Sequence, residues 1–161
     1  METIQKSLCH LHYTWEELMQ EIYLQSSYMV KGMYTDDATG VVADALILSD
    51  DEQMLTSRFL SDGYSKIFDI LSGFMKEGGG GFSPGSPIDF SLMIPNAVPP
   101  GVLERLAHLV KQCLVYYVLC RWFMVRNQEM SAYCMQLAES AYDEIRSCLN
   151  RRTVPITRKL H

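Results

Sequence analysis

The sequence predicts a mainly α-helical protein, a four-helix bundle with a long central helical hairpin and one short β-strand or hairpin in a loop. Apolar residues recur at helical spacing in four stretches, two of these stretches begin with a capping box, and one short stretch alternates apolar and polar side chains instead. A chain of 161 residues with 48% hydrophobic residues can bury a core as one domain. We therefore expect residues 1–150 to form a single helical domain, followed by a basic tail at 151–161.

The first two helices are predicted from the way they start. Residues 14–17 read Thr-Trp-Glu-Glu, a capping box that places a helix at about residues 14–31. Residues 49–52, Ser-Asp-Asp-Glu, form a second box whose acids lie where the helix dipole favours negative charge. This second helix is expected to continue to about residue 76. The intervening residues 33–48 are predicted to be a loop.

A glycine-rich segment separates the second and third helices. Gly78–Gly81 is a run of four glycines followed by two prolines and a further glycine, so residues 78–87 are predicted to be a flexible loop. The run lacks the lysine and serine or threonine of a phosphate-binding loop and precedes a strand rather than a helix. Residues 88–94 alternate apolar and polar side chains, which predicts a short strand. This strand has no obvious partner in the chain. The alternative is that it pairs with residues near 41–48 of its own chain.

The third predicted helix lies at about residues 100–127. Its second half, Leu114–Val125, is apolar on every side except at Arg121, and such a helix must be covered on every side. A membrane span needs about 20 apolar residues, whereas this run is shorter and is flanked by Lys111 and Arg126. We therefore expect a core helix or a subunit-interface helix, not a membrane segment.

The fourth predicted helix, at about residues 129–149, carries one wide apolar stripe. Because only a few residues connect it to the third helix, the two are expected to pack as an antiparallel hairpin. In the predicted contact, Leu106, Leu109, Val110 and Cys113 face Leu137, Ala141, Ile145 and Cys148.

The residue types that carry catalytic or metal chemistry match no known pattern. Five widely spaced cysteines are not a disulfide framework, and four of them fall on apolar helical faces, where free cysteine packs as a small hydrophobe. Cys9, His10 and His12 are candidate metal ligands, but their spacing matches no common zinc pattern. The acids of residues 49–52 are better explained by helix capping than by calcium binding. The sequence therefore predicts no enzyme activity, no metal and no organic cofactor.

Charge is distributed unevenly along the chain. The formal net charge is −5, and residues 1–77 hold thirteen acidic and five basic side chains. The tail has no acidic residue, and its basic residues are Arg151, Arg152, Arg158 and Lys159. Three interpretations of this tail stay open: it contacts phosphate groups, it is solvated, or it is a strap onto an acidic neighbouring subunit. The negative net charge predicts no general attraction to nucleic acid or anionic membranes.

Two groups of residues carry a resemblance to known proteins. The first group is Thr14-Trp15-Glu16-Glu17-Leu18 with Leu48-Ser49-Asp50-Asp51-Glu52. The second is Tyr133, Ala138-Glu139, Tyr142, Ile145-Arg146, Arg151-Arg152 and Pro155. Both groups resemble small proteins encoded in structural-gene clusters of phages and prophages from Bacteroides-type hosts. The whole plan is similar to the head–tail connector proteins of tailed phages, which are small and helical. The resemblance covers about two-thirds of the chain as a pattern, but the glycine run has no counterpart in it.

The resemblance implies a structural role in a connector-like bundle. Connector proteins form a homo-oligomeric ring beneath the portal, so the expected partners are further copies of this chain, the portal protein, and tail or stopper proteins. Non-specific contact with packaged DNA is an additional expectation for the tail. The implied location is the neck of the virion after synthesis in the host cytoplasm, without membrane contact. The residues expected to contact adjacent subunits are Phe82, Ile88, Phe90, Leu92, Ile94, Arg151, Arg152, Arg158 and Lys159.

Two other classes of protein stay open at this point. A helical adaptor or regulatory domain would bind one partner as a monomer or dimer. A helical-bundle enzyme or ligand-binding protein would, in its di-metal version, carry paired glutamates and Glu-x-x-His motifs, which the sequence lacks. The size of the assembly separates these classes, because a ring subunit should assemble and a bundle enzyme need not.

Overall fold

The structure is a computed structural model that describes residues 5–34, 40–95 and 99–150. Its elements, in chain order, are β1 (Lys6–Tyr13), α1 (Trp15–Met33), α2 (Val41–Leu46), α3 (Gln53–Leu71), β2 (Met75–Gly81), β3 (Ile88–Pro95), α4 (Pro100–Phe123) and α5 (Gln128–Asn150). Single 3₁₀ turns at Asp50–Glu52 and Ser72–Phe74 precede and follow α3. The prediction of a mainly α-helical fold is confirmed, with α2 as a short addition to the four predicted helices.

The α4–α5 hairpin forms the centre of the molecule. Helix α4 is 24 residues long, and a short turn at residues 124–127 leads directly into α5. Near this turn the Ser131 hydroxyl donates a hydrogen bond to the Cys120 carbonyl at 2.9 Å, and near the opposite end Arg105 forms an ion pair with Glu144. The end of α4 therefore contacts the start of α5, and the start of α4 contacts the end of α5. The predicted antiparallel pair is confirmed.

The interior of the hairpin differs from the prediction at one position. Cys113 on α4 is 0% exposed, as expected, and its thiol lies 3.9 Å from the Ala138 carbonyl. Ala138 is also 0% exposed, whereas Leu137, which was expected in the contact, is only half-buried. The small residue Ala138 therefore lies in the interior of the contact, and Leu137 lies at its margin.

Helix α1 starts at the predicted cap and packs against α4. The Thr14 hydroxyl accepts a hydrogen bond from the Glu17 backbone N–H at 3.2 Å. The Glu17 carboxylate lies 2.6 Å from the Lys111 ammonium group on α4, which joins the two helices at their exposed margin. The helix continues through Gly32 and ends at Met33, close to the predicted end near residue 31.

The second capping box is also present, and it starts α3 through a 3₁₀ turn. The Ser49 backbone N–H donates to the Glu52 carboxylate at 3.1 Å. Inside the helix, Gly63 permits close contact with α4, because a Cβ there would lie 3.0 Å from the Tyr117 ring. Helix α3 ends at Leu71, earlier than predicted, since the following 3₁₀ turn leads into a strand.

The three strands form one antiparallel sheet in the order β1–β3–β2. Strand β1 pairs with β3 over all eight of its residues, and β2 pairs with the other side of β3 with an irregularity between Met75 and Gly80. The predicted strand is therefore central, and the expectation that it lacks a partner in its own chain is wrong. The alternative partner near residues 41–48 is wrong as well, because that segment contains α2.

One face of the sheet packs on the helices and the other faces solvent. On the packed face, Leu11 and Tyr13 are buried, and the Tyr13 hydroxyl donates to the Ala107 carbonyl of α4 at 2.5 Å. Phe90 of β3 stacks on Tyr64 of α3 with 5.0 Å between the ring centroids. The sheet thus closes one side of the helical core, as expected for a half-buried antiparallel sheet.

Candidate interaction surfaces

The apolar residues of β3 that were predicted to contact an adjacent subunit lie inside the protein's own core. Ile88, Phe90 and Leu92 are 0% exposed, and Ile94 is 2% exposed. Strand β3 also has a partner strand on each side, so its backbone is paired within the chain. A second subunit cannot reach these side chains without opening the core, and this part of the predicted contact set is wrong. Their alternation reflects one face packed on the protein's own helices.

Phe82, also predicted as a subunit contact, follows β2 directly and is half-buried. Its ring centroid lies 5.8 Å from that of Tyr64 and 6.2 Å from that of Trp15. The residue therefore joins the loop before β3 to α1 and α3. Its exposed part stays a candidate contact, but its packing already gives it a structural role.

The basic residues predicted as contacts, Arg151, Arg152, Arg158 and Lys159, lie outside the described residues. Their role as a strap onto a neighbouring chain stays a prediction. The described part of the chain ends with Asn150, the last residue of α5.

The run of four glycines belongs to strand β2 and is not a flexible loop. A Cβ at Gly79 would lie 2.7 Å from the Lys76 carbonyl oxygen and 2.8 Å from that of Ser91. A Cβ at Gly80 would lie 2.6 Å from the Tyr64 hydroxyl. At Gly79 the obstacles are backbone oxygens, so glycine is required there for β2 to lie against β3. At Gly80 the obstacle is the end of the Tyr64 side chain, which would have to shift.

Gly78 meets a different requirement, since its φ of +70° lies in the left-handed region that glycine adopts without strain. The loop between β2 and β3 is correspondingly short and comprises residues 82–87. A deletion within residues 78–87 would therefore remove part of β2. Such a deletion would alter the fold as well as any subunit contact, so it cannot test the contact alone.

Exposed apolar side chains are found where α1 ends and α5 begins. Tyr28 is 79% exposed, Tyr133 is 55% exposed and Met33 is 49% exposed. A groove of about 400 Å³ lies between the two helices and is lined by Tyr28, Met29, Gly32, Met33, Glu129, Met130 and Tyr133. We call this groove with its exposed tyrosines and methionine the end surface. Large exposed apolar groups around a groove are typical of a site that another molecule covers.

Contacts beneath the end surface hold the two helix ends together. The Asn127 amide donates to the Tyr34 hydroxyl at 2.9 Å, and its carbonyl oxygen accepts from the Met130 backbone N–H at 3.1 Å. The Cys134 thiol lies 3.8 Å from the Met29 sulfur. These contacts join the end of α1 to the start of α5, so the groove is formed within a single chain and needs no second subunit.

Helix α2 and the α4–α5 turn also carry exposed apolar side chains. The Trp122 indole N–H donates to the Leu46 carbonyl at 2.7 Å, which joins α2 to the end of α4. The Arg126 guanidinium lies over the Trp122 ring, 3.4 Å from its centroid. The exposed apolar side chains in these two segments are Val41, Val42, Met124 and Val125.

Sequence reasoning missed the end surface, although α1 contains a signal for it. Leu24 and Tyr28 are four residues apart, which places them on one face of the helix. The buried residues Leu18, Ile22 and Ser26 occupy the opposite face. Apolar residues outside the core stripe were therefore the available indication of a second, uncovered face.

A row of polar side chains lies on the solvent face of the sheet. The register places His10 opposite Ser91 and His12 opposite Asp89. The Ser91 hydroxyl lies 3.0 Å from His10 Nδ1, and Asp89 Oδ1 lies 2.5 Å from His12 Nδ1. Since the serine and the aspartate contact different imidazoles, the row is not a Ser-His-Asp triad, in which one histidine contacts both. Cys9 lies on the other face of β1 and packs against the core.

The three buried polar residues of the described chain, Ser26, Thr56 and Ser131, have hydrogen-bond partners, whereas the buried hydroxyls of Tyr64 and Tyr142 have none within the described residues. The hydroxyls of Ser26, Thr56 and Ser131 each donate to a backbone carbonyl in their surroundings. Burial raises the pKa of Cys113 and of Cys134 to about 12, which keeps both as thiols and not as reactive thiolates. Within residues 5–34, 40–95 and 99–150, no group of three or more His, Cys, Asp and Glu side chains is arranged to hold a metal ion.

The apolar run Leu114–Val125 lies mostly within the central hairpin, where α4 is buried on nearly all sides. None of the helices in the described part of the chain is both long enough and apolar enough to cross a membrane. Comparisons with protein-family models, curated proteins and solved structures find no match for this chain.

Proposed function

We propose that this protein is a structural subunit of a phage head–tail connector, a closed ring of identical chains that links the portal to the tail in the neck of the virion. It works by packing against other protein chains. The end surface carries the proposal, because tyrosines and methionines around a groove are enriched where proteins contact one another. The resemblance of residues 14–18 and 48–52 to phage structural proteins supports this choice of assembly.

The end surface has enough apolar material to contribute to association. Fully burying a valine or methionine side chain stabilises a complex by about 1.5–3 kcal/mol. Association costs about 4–15 kcal/mol in lost freedom, so several such side chains are needed. Tyr28, Met33 and Tyr133 belong to the end surface, and Val125 in the adjacent turn is 84% exposed. One contact of this size, repeated around a ring, gives a stable assembly because each subunit makes it twice.

Ring closure sets a condition on this contact. The end surface of one subunit must meet a different surface on the next, because heterologous contacts generate rings when the rotation closes. A self-complementary contact would stop at a dimer instead.

The basic tail is a second contact in the same assembly. The chain carries a net charge of −5 even with the four basic tail residues included, so residues 1–150 are acidic. Electrostatic attraction between the tail of one subunit and the acidic domain of the next is therefore favourable. Each exposed ion pair contributes only about 0–1 kcal/mol. Deletion of residues 151–161 should therefore leave the circular dichroism spectrum unchanged and weaken assembly at low salt more than at high salt. Equal assembly of the full and shortened chains at both salt concentrations would remove the tail from the interface.

The second candidate function is an adaptor that binds one partner protein. The groove between α1 and α5 favours it, since an amphipathic helix of a partner can lay its apolar face in such a groove. This candidate needs no ring, and it predicts a monomer or dimer that forms a complex of fixed stoichiometry.

Negative-stain electron microscopy of the full chain, alone and mixed with a portal protein, distinguishes the two candidates. The connector proposal predicts closed rings of uniform diameter in at least one of the samples. Uniform monomers or dimers in both samples contradict a connector and favour an adaptor. Open filaments contradict ring closure.

A further inference from the structure

We propose that His10 and His12 bind a divalent transition-metal ion on the solvent face of the sheet, an ion of the group that imidazole ligands favour, such as Zn²⁺. The site does not depend on the connector proposal, because neither histidine belongs to the end surface. The two residues are separated by one position on β1, so their side chains leave the same face of the sheet. Their Cα atoms are about 7 Å apart at the usual rise of a strand, which is within reach of two imidazoles that share one ion.

The partners of the two imidazoles on β3 support this assignment. His12 Nδ1 lies 2.5 Å from the Asp89 carboxylate, and His10 Nδ1 lies 3.0 Å from the Ser91 hydroxyl. Metal-binding histidines typically use one ring nitrogen for such a partner, which orients the ring and raises the basicity of the other nitrogen. With both Nδ1 atoms engaged on β3, the two Nε2 atoms are the ones that coordinate the ion.

The exposure of the side chains and the number of protein ligands determine how tightly the site holds an ion. The His12 and Asp89 side chains are 56% and 58% exposed, so an ion reaches the site directly from solvent. Because the described residues offer no group of three or more ligands, the protein supplies two nitrogens and water completes the coordination. The ion is therefore exchangeable and does not hold the fold together.

The sequence pattern of this segment concealed the site. Read along the chain, Cys9, His10 and His12 match no common zinc spacing. The strand separates Cys9 from the histidines by placing it on the opposite face. The orienting partners come from β3, at sequence separations of 77 and 81 residues. Only the register of β1 on β3 brings the four polar groups together.

Isothermal titration of the metal-free full chain with zinc chloride tests the proposal, using protein that carries no affinity histidine tag. The wild type should bind one Zn²⁺ per chain. His10→Gln and His12→Gln should each weaken binding about tenfold or more, since each removes one of two ligands. His108→Gln is the matched control, because it removes another exposed imidazole, from α4, and should leave the affinity unchanged.

Asp89→Asn tests the positioning role of the carboxylate. It should weaken Zn²⁺ binding about tenfold, the lower end of the effect of losing an orienting partner. The unfolding temperature of metal-free protein should stay the same, which separates positioning from a structural role. In nuclear magnetic resonance spectra, the Nε2 signals of both histidines should move when Zn²⁺ is added to the wild type.

Three results would overturn the proposal. The wild type fails to bind Zn²⁺ at one ion per chain, His10→Gln and His12→Gln bind as tightly as the wild type, or His108→Gln weakens binding as much as they do. Circular dichroism of each metal-free variant verifies that it is folded, and Asp89→Asn provides an independent result if a histidine variant is not.

Discussion

The α4–α5 hairpin and the three-stranded sheet are stabilised in different ways. In the hairpin, two helices that are adjacent in the chain pack large side chains together, and Leu114, Phe123 and Ile145 are 0% exposed. In the sheet, β1 and β3 are distant in the chain and are joined by backbone pairing, while β2 lies close to β3 because Gly79 has no side chain. The hairpin should therefore be sensitive to loss of side-chain volume, and the β2 edge of the sheet to added volume.

The largest expected effect is the loss of a side chain from the hairpin. Phe123→Ala should lower the free energy of unfolding by about 3–5 kcal/mol, because it removes a fully buried ring and leaves a cavity. Leu137→Ala, at a half-buried position of the same hairpin, should cost only about 1 kcal/mol. Urea unfolding followed by circular dichroism measures both. Similar losses in the two variants would contradict the description of a tightly packed interior with Leu137 at its margin.

The next effect concerns added volume in β2. Gly79→Ala should destabilise the protein by about 1–3 kcal/mol, since its Cβ meets two backbone carbonyl oxygens that cannot move away independently. Gly81→Ala is the matched control in the same run, and nothing lies within 4 Å of a Cβ there. The control should change stability by about 0.5 kcal/mol or less. Equal unfolding temperatures for Gly79→Ala and Gly81→Ala would contradict the close packing of Gly79 and would favour a loop for the glycine run.

A smaller effect is expected where the two regions meet. The Tyr13 hydroxyl of β1 donates to the Ala107 carbonyl of α4. Tyr13→Phe keeps the buried ring and removes this hydrogen bond, so it should cost about 0.5–1.5 kcal/mol. Hydrogen exchange should show faster exchange of β1 amides than in the wild type, with α5 little affected. Unchanged exchange in β1 would show that the sheet does not depend on this contact.

The two regions should also differ in thiol reactivity, with little effect on stability. Cys113, Cys120, Cys134 and Cys148 are buried in the hairpin, whereas Cys9 of β1 is partly exposed. Burial raises the pKa of Cys113 and Cys134 to about 12, so at pH 8 almost none of either is thiolate, the form that reacts. A disulfide reagent at pH 8 should therefore modify Cys9 first in folded protein and the hairpin cysteines only after denaturation. Rapid modification of a hairpin cysteine, identified by mass spectrometry, would contradict the burial.

The helices were predictable because their signals are local. The caps at Thr14 and Ser49 and the stripes of α4 and α5 lie within each segment, and the structure confirms them to within a few residues at most ends. The main exception is α3, whose early end depends on the strand that follows it.

The sheet was only partly predictable because its signals are not local. Strand β3 alternates clearly, but β1 was missed even though Cys9, Leu11 and Tyr13 alternate with polar residues. Strand β2 was read as a loop because glycine favours turns, and its fit against Tyr64 and Ser91 is visible only in the folded chain. The end surface was missed although Leu24 and Tyr28 lie outside the core stripe of α1, because the sequence does not show whether another helix covers that second face.

The central claim is that the protein acts by packing against other chains through the end surface, and its mass in solution tests this directly. Light scattering after size exclusion should show a multimer for the wild type at high concentration. The double variant Tyr28→Ser with Tyr133→Ser should be a folded monomer, because it removes the two exposed tyrosines of that surface. Leu8→Ser, which removes a side chain 45% exposed on the sheet, should assemble like the wild type. A wild type that stays monomeric at every concentration, both alone and mixed with a portal protein, or three proteins of equal assembly size, would contradict the account.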